Sequence, residues 1–168
     1  MALNSAELQV IFKANQTGSN DLGNPSFDPS LKKVLQFLVG TGANQADMIW
    51  TDERVVTTGA NDDIDLAGVL SSAFGATLTF AEIVGIIVVS DTANTTTLTI
   101  GAGANPWITM FLATGDGIKV GPGGVFVNFA PDASGLGAVT AGTGDILRIT
   151  NSAGASATYK IVVLGRSA

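Results

Sequence analysis

The stretch Thr77–Ile100, TLTFAEIVGIIVVSDTANTTTLTI, decides the fold class of this chain. Its centre, Ile83–Val89 (IVGIIVV), is an unbroken apolar run closed by Glu82 on one side and Ser90-Asp91 on the other. A helix that crosses a membrane needs about 20 mostly apolar residues, and this run has the length of a strand. Thr77–Ser90 therefore reads as one long strand or a pair of strands. The SDTAN segment, Ser90–Asn94, is turn chemistry, and Thr95–Ile100 is a further strand.

The same pattern extends toward the C-terminus. Trp107–Leu112 reads as a strand. Ile118–Val120 and Val125–Phe129 flank GPGG, Gly121–Gly124, as the arms of a hairpin. Asp145–Thr150 and Ala157–Leu164 read as a last hairpin around NSAGAS, with Tyr159, Ile161 and Val163 alternating against Lys160, Val162 and Leu164. Toward the N-terminus, Asp62–Leu66 is a short extended piece. Leu66, Val69, Leu70 and Phe74 fall at near-helical spacing and end at Gly75, which predicts at most a short helical turn near residues 66–75.

Leu31–Val39 (LKKVLQFLV) reads two ways. As a helix it places Leu31, Val34, Leu35 and Leu38 on one stripe behind Ser30 as N-cap. As a strand it alternates Lys33, Leu35, Phe37 and Val39 against Lys32, Val34, Gln36 and Leu38. The loop chemistry of Gly40–Asp47 and the β-branched Met48–Thr58 favour the strand, in a hairpin with its successor. Residues 1–30 read as an extended N-terminal arm. It holds one strand, Ala6–Phe12, and then a long run of Asn, Gly, Ser, Asp and Pro that is either mobile or ordered by a neighbour. Residues 31–168 form a single β domain. The expected architecture is all-β: an antiparallel β-sandwich or jelly-roll-like barrel of about eight to ten strands.

Composition narrows the chemistry. The 168 residues include no Cys and no His, which removes disulfides, thiol nucleophiles, zinc fingers and any Ser-His-Asp arrangement. A net charge of −6 argues against a nucleic-acid footprint. All of that charge lies in residues 1–82, with ten acids and four bases, while residues 83–168 are neutral with four of each. Mean hydropathy is +0.39, high for a chain in water. A lipid-facing barrel needs aromatic girdles, and one Tyr with two Trp cannot supply them. The opening MALNSAELQV lacks a basic segment followed by an apolar one, so no secretory signal is expected. The apolar excess must then be buried inside the domain or against another chain.

Three clusters invite a chemical reading. Asn61–Asp65 (NDDID) gathers Asp62, Asp63 and Asp65, hard oxygen ligands of the type Ca²⁺ takes, but lacks the loop glycine and closing Glu of an EF-hand. A solvated turn leading into a strand and a helix N-terminus, where Asp is favoured, is the preferred reading. Asp52 and Glu53 are adjacent on a strand and point to opposite faces, so they do not converge for acid–base work. Gly40–Asp47, Gly101–Pro106 and GPGG lack the Lys-Ser/Thr ending or following helix of a phosphate loop and read as turns. Trp50, Trp107 and Tyr159 are either a sugar-stacking platform or core anchors. No catalytic, cofactor or metal residue is assigned, and the chain is expected not to be an enzyme.

Four segments, Gly40–Val56 (GTGANQADMIWTDERVV), Asp63–Ile83 (DIDLAGVLSSAFGATLTFAEI), Pro122–Gly135 (PGGVFVNFAPDASG) and Gly142–Gly165 (GTGDILRITNSAGASATYKIVVLG), together resemble small β-rich virion proteins of tailed bacteriophages. The resemblance covers about residues 40–168 and carries no active-site residues. It implies a structural component of the particle: a decoration (cement) protein on the capsid surface, or a head or tail fibre component or glycan-binding module. The implied partners are further copies of the chain, with a trimer favoured, and the major capsid protein lattice; neither nucleic acid nor membrane is expected. Such a protein is made in the host cytoplasm without a signal peptide. Its neutral second half, residues 83–168, is expected to supply much of the contact between copies.

Overall fold

The computed structural model describes residues 3–68, 70–103, 105–107, 109–111, 113 and 115–168. Among them there is no helix. The strands in chain order are β1 (Ser5–Lys13), β2 (Gln16–Thr17), β3 (Ser26–Phe27), β4 (Ser30–Leu38), β5 (Met48–Val56), β6 (Asn61–Asp65), β7 (Leu70–Ser71) and β8 (Thr77–Leu78). They continue with β9 (Glu82–Ser90), β10 (Leu98–Ala102), β11 (Gly117–Val120), β12 (Val125–Phe129), β13 (Gly137–Ala138), β14 (Ile146–Asn151) and β15 (Ala157–Arg166).

Two antiparallel sheets make the body. Sheet I runs β12-β9-β15-β5, with β13 also pairing β9, and sheet II runs β11-β10-β14-β6. Each strand of sheet I is joined in sequence to a strand of sheet II: β5 to β6, β9 to β10, β11 to β12 and β14 to β15. That alternation between two four-stranded layers is the wiring of a jelly roll, an open sandwich and not a closed barrel. Side chains from both layers form one core, including Trp50, Ile86, Val88, Tyr159, Ile161 and Val163 from sheet I and Ile64, Leu98, Ile100, Val120, Leu147 and Ile149 from sheet II. Strand β14 shows why: its residues alternate half-buried and buried, one face inward.

Two expected hairpins are therefore corrected. GPGG does not pair Ile118–Val120 with Val125–Phe129: β11 pairs β10, and β12 pairs β9 in the other sheet. NSAGAS likewise carries the chain from β14 in sheet II to β15 in sheet I. These turns are arches over the end of the sandwich. Asn151 fixes one of them, its buried Nδ2 donating to Val56 O (3.0 Å) and Ala155 O (2.8 Å). Asn94 fixes another, donating to Thr158 O (2.7 Å) and accepting from Thr158 N (2.8 Å). Gly123, with φ of 67°, supplies the left-handed residue that GPGG requires.

Other expectations also move. The run from Leu66 to Gly75 holds no helical turn among its described residues, and Val69 lies outside them. Ser72 N bonds Ala76 O (2.8 Å) and Ala76 N bonds Ser72 Oγ (3.1 Å), so the serine closes a tight turn between β7 and β8. The described residues of Trp107–Leu112 hold no strand: Thr109 and Met110 form a turn, and Ile108 and Leu112 lie outside the described residues. Trp107 is a single core anchor whose indole N–H donates to Ala138 O at 3.0 Å. Thr77–Ser90 is a pair of strands, β8 and β9.

The first 38 residues build a separate feature. β4 is a strand, but it does not pair with β5 as expected. It pairs with β1 over nine positions, from Ser5 opposite Leu38 to Lys13 opposite Ser30. The short β2–β3 ladder continues toward the tip at Asn20–Gly23. The extended arm of residues 1–30 is thus one part of a two-stranded ribbon that reaches Leu38.

Candidate interaction surface and the placement of the polar residues

The sequence's carboxylate cluster separates on folding. Asp62 shares the inward face of β6 with Ile64, and its carboxylate takes Arg54 Nε and Nη2 at 2.6 Å each and the Tyr159 hydroxyl at 2.7 Å. Burial opposes its charge, yet the hydrogen bonds from Arg54 and Tyr159 prevail and hold the carboxyl below its usual range. Burial and the same carboxylate push the Tyr159 hydroxyl far above its ordinary value. Asp63 points the other way and pairs with Arg148 Nε at 2.5 Å and Nη2 at 2.6 Å. Asp65 Oδ1 accepts from Ala67 N at 2.8 Å and shapes the turn after β6. No three acidic side chains among the described residues are grouped to hold a metal ion.

Asp52 and Glu53 diverge as strand geometry requires. Asp52 pairs with Arg54 at 3.0 Å, and Glu53 reaches Lys160 on the neighbouring strand at 3.4 Å. Asp52, Arg54 and Asp62 border an open cleft of about 350 Å³. Asp52 and Asp62 face the same guanidinium, and Glu53, which also borders the cleft, pairs with Lys160. Gly40–Asp47 and GPGG serve as turns: Gly42 N donates to Gln45 Oε1 at 2.9 Å, and Asn44, at φ of 56°, donates its N–H to Pro131 O at 2.7 Å; in Gly101–Pro106, by contrast, Gly101 and Ala102 belong to strand β10.

Trp50, Trp107 and Tyr159 are all buried in the one core. They offer no stacking platform to a sugar.

Arg166 is the most buried charge. Its side chain is fully enclosed, paired with Glu82, and donates to Gln45 O (3.0 Å), Ala133 O (3.0 Å) and Asp132 O (2.8 Å). It ties the loop that returns from the ribbon to the end of β15. Sequence reading passed over it, because a C-terminal Gly-Arg-Ser has no local signature of burial.

The exposed apolar surface lies elsewhere than expected. Among the described residues of the second half, Val125 and Val127 are the large apolar side chains left exposed. The ribbon region leaves nine: Val10, Ile11, Phe12, Leu22, Phe27, Leu31, Val34, Leu38 and Val39. The neutral block of residues 83–168 is apolar chiefly because it builds the core, and of its large apolar side chains Val125 and Val127 are left to the surface among the described residues. The β1–β4 register places Ala6, Leu8, Val10 and Phe12 on one face, opposite Phe37, Leu35, Lys33 and Leu31. The base of this face is seated: Ala6, Leu35 and Phe37 pack with Phe129, Val84 and Leu164 of sheet I in a second, smaller core. Its outer part, Val10, Phe12 and Leu31, is exposed, Phe12 and Leu31 at 58% each. The signal was present in the alternation of Ala6–Phe12, which the loop chemistry following it obscured.

No family model, no curated protein and no solved structure matches this chain.

Proposed function

We propose that this protein is a non-enzymatic structural component of a tailed-bacteriophage virion, a capsid decoration or cement protein that stabilises the head by binding to itself and to the capsid lattice. The observation that carries the reading is the amphipathic ribbon, an apolar β face that leaves the body half covered. A surface of that kind marks a contact with another protein. The resemblance of residues 40–168 to small β-rich virion proteins supplies the setting. Jelly rolls also serve lectins and cupins, so the fold alone selects none of these roles. The buried aromatics and the paired carboxylates favour contact over sugar binding or catalysis.

The mechanism is mechanical. Each copy spans joints between capsid subunits, and many moderate contacts act in parallel, so that displacing the lattice requires breaking them together. The test compares thermal release of DNA from particles with and without the protein. Particles lacking it should keep their shape and release DNA at a lower temperature. Equal release temperatures would overturn the cementing role.

A further inference from the structure

We propose that the unseated half of the ribbon, the face of Val10, Phe12 and Leu31, docks on the outer face of sheet I in a second copy of the chain, across Ile87, Val127 and Val162. The inference rests on the reading that the protein works by self-association, and it names the two surfaces that meet.

Three observations point to this occupant. The first is continuity. The seated and unseated parts of the ribbon are one apolar stripe, and the seated part already packs on the outer face of sheet I. Phe12 lies four positions beyond Leu8, about 13 Å farther along the strand, where its own chain leaves it exposed. The second is a matching receptor. Sheet registers align Phe129, Gly85, Leu164 and Ile49 in one outward row, of which Phe129 and Leu164 pack with the ribbon base. The next row, Val127, Ile87, Val162 and Thr51, is apolar at three of its four positions, and beyond it Val125 and Val89 stand beside the exposed Lys160–Glu53 pair. Val125 is 60% exposed and Val127 39%. The third is charge. Strands β1 and β4 carry Lys13, Lys32 and Lys33 against Glu7, whereas residues 39–168 hold eleven acids and five bases, a net of −6. Two bodies repel each other, and a ribbon stem is attracted to a body.

The two surfaces differ, so the contact is heterologous: each copy gives a ribbon and receives one, and the assembly closes as a ring or continues as a chain. This yields a test with a distinctive mixture. Phe12→Asp damages only the ribbon and Val127→Asp only the receptor; both sites are exposed, and each variant should unfold at the wild-type denaturant midpoint. By sedimentation at rising micromolar concentration the wild type should associate. Each variant alone should be monomeric, its dissociation constant raised about 100-fold by an unpaired carboxylate in an apolar contact. An equimolar mixture should form a one-to-one dimer, because one intact ribbon meets one intact receptor. A mixture that stays monomeric would overturn the proposal, a Val127→Asp variant that still associates by itself would overturn it in favour of ribbon-to-ribbon pairing, and two variants that both associate like the wild type would place the contact elsewhere. A wild type that remains monomeric would overturn self-docking, while the DNA-release comparison would still decide the virion reading independently.

Discussion

The ribbon and the body are built from the same pattern and end in opposite states. β14 alternates its two faces and buries Leu147 and Ile149 against sheet I. β1 and β4 alternate in the same way, yet only Leu8 and the residues nearer the base are covered. The difference lies in the partner. In the body the second layer is supplied by the same chain, through arches that alternate between sheets. In the ribbon the chain supplies a layer for only half of the stripe. An alternating strand is thus a demand for cover, and the sequence does not say whose surface meets it.

The comparison is broken most severely at its cations. Arg166 in the body is enclosed, and Lys33 on the ribbon is exposed. Arg166→Met would leave Glu82 without its partner and the carbonyls of Gln45, Asp132 and Ala133 without a donor. The expected loss is about 3–5 kcal/mol, read as a fall in urea midpoint. Lys33→Met should stay within about 0.5 kcal/mol of wild type. Equal effects would mean that the body's stability does not depend on this buried ion pair.

Gly85 sits at the junction of the two regions. A Cβ there would overlap the Phe129 ring, which lies over the glycine and faces Phe37 with centroids 6.0 Å apart. Gly85→Ala should displace that ring and loosen the ribbon's seat, at about 1–3 kcal/mol. Tryptic cleavage at Lys13, Lys32 or Lys33 should quicken in step. A stable variant with unchanged cleavage would show that the ribbon is held without Phe129.

Much of the fold was legible because strands announce themselves by period. β5, β6, β9, β12 and β15 lie where alternation and apolar runs place them. Pairing was less legible. A strand pair joined by GPGG or NSAGAS buries one face whether it closes as a hairpin within a sheet or arches between sheets, so periodicity is the same for both. The signals that separate them are side chains such as Asn94 and Asn151, which bond across the arch from distant positions. The spacing of Leu66, Leu70 and Phe74 misled for a related reason: Leu66 and Leu70 enter the core from a turn and a short strand, while Phe74 sits exposed at a tight bend. At the candidate site, the divergence of Asp52 from Glu53 followed from strand geometry. The unseated stripe did not, because exposure is a property of the partner surface.

The finest test of the comparison is acid. Both regions hold a carboxyl below its usual range: Asp62 in the body, and Glu7 on the ribbon, where side-chain hydrogen bonds from Gln9 and Gln36 lower it. A carboxyl depressed by folding contributes stability that is fully present above its unfolded value, about pH 4, and is lost as pH falls through the lower folded value. Glu7 sits on the solvated ribbon, where Gln9 and Gln36 compete with water. Glu7→Gln should therefore leave the acid limb of the stability curve unchanged. Asp62 is half-buried between Arg54 and Tyr159, so Asp62→Asn should cost on the order of 1 kcal/mol at pH 6. The gap between that variant and wild type should close as pH falls below about 4. Urea unfolding across this range checks both. A gap of constant size would assign the loss at Asp62 to packing instead of charge, and a Glu7 effect of equal size would mean that the ribbon is as tightly coupled to folding as the body.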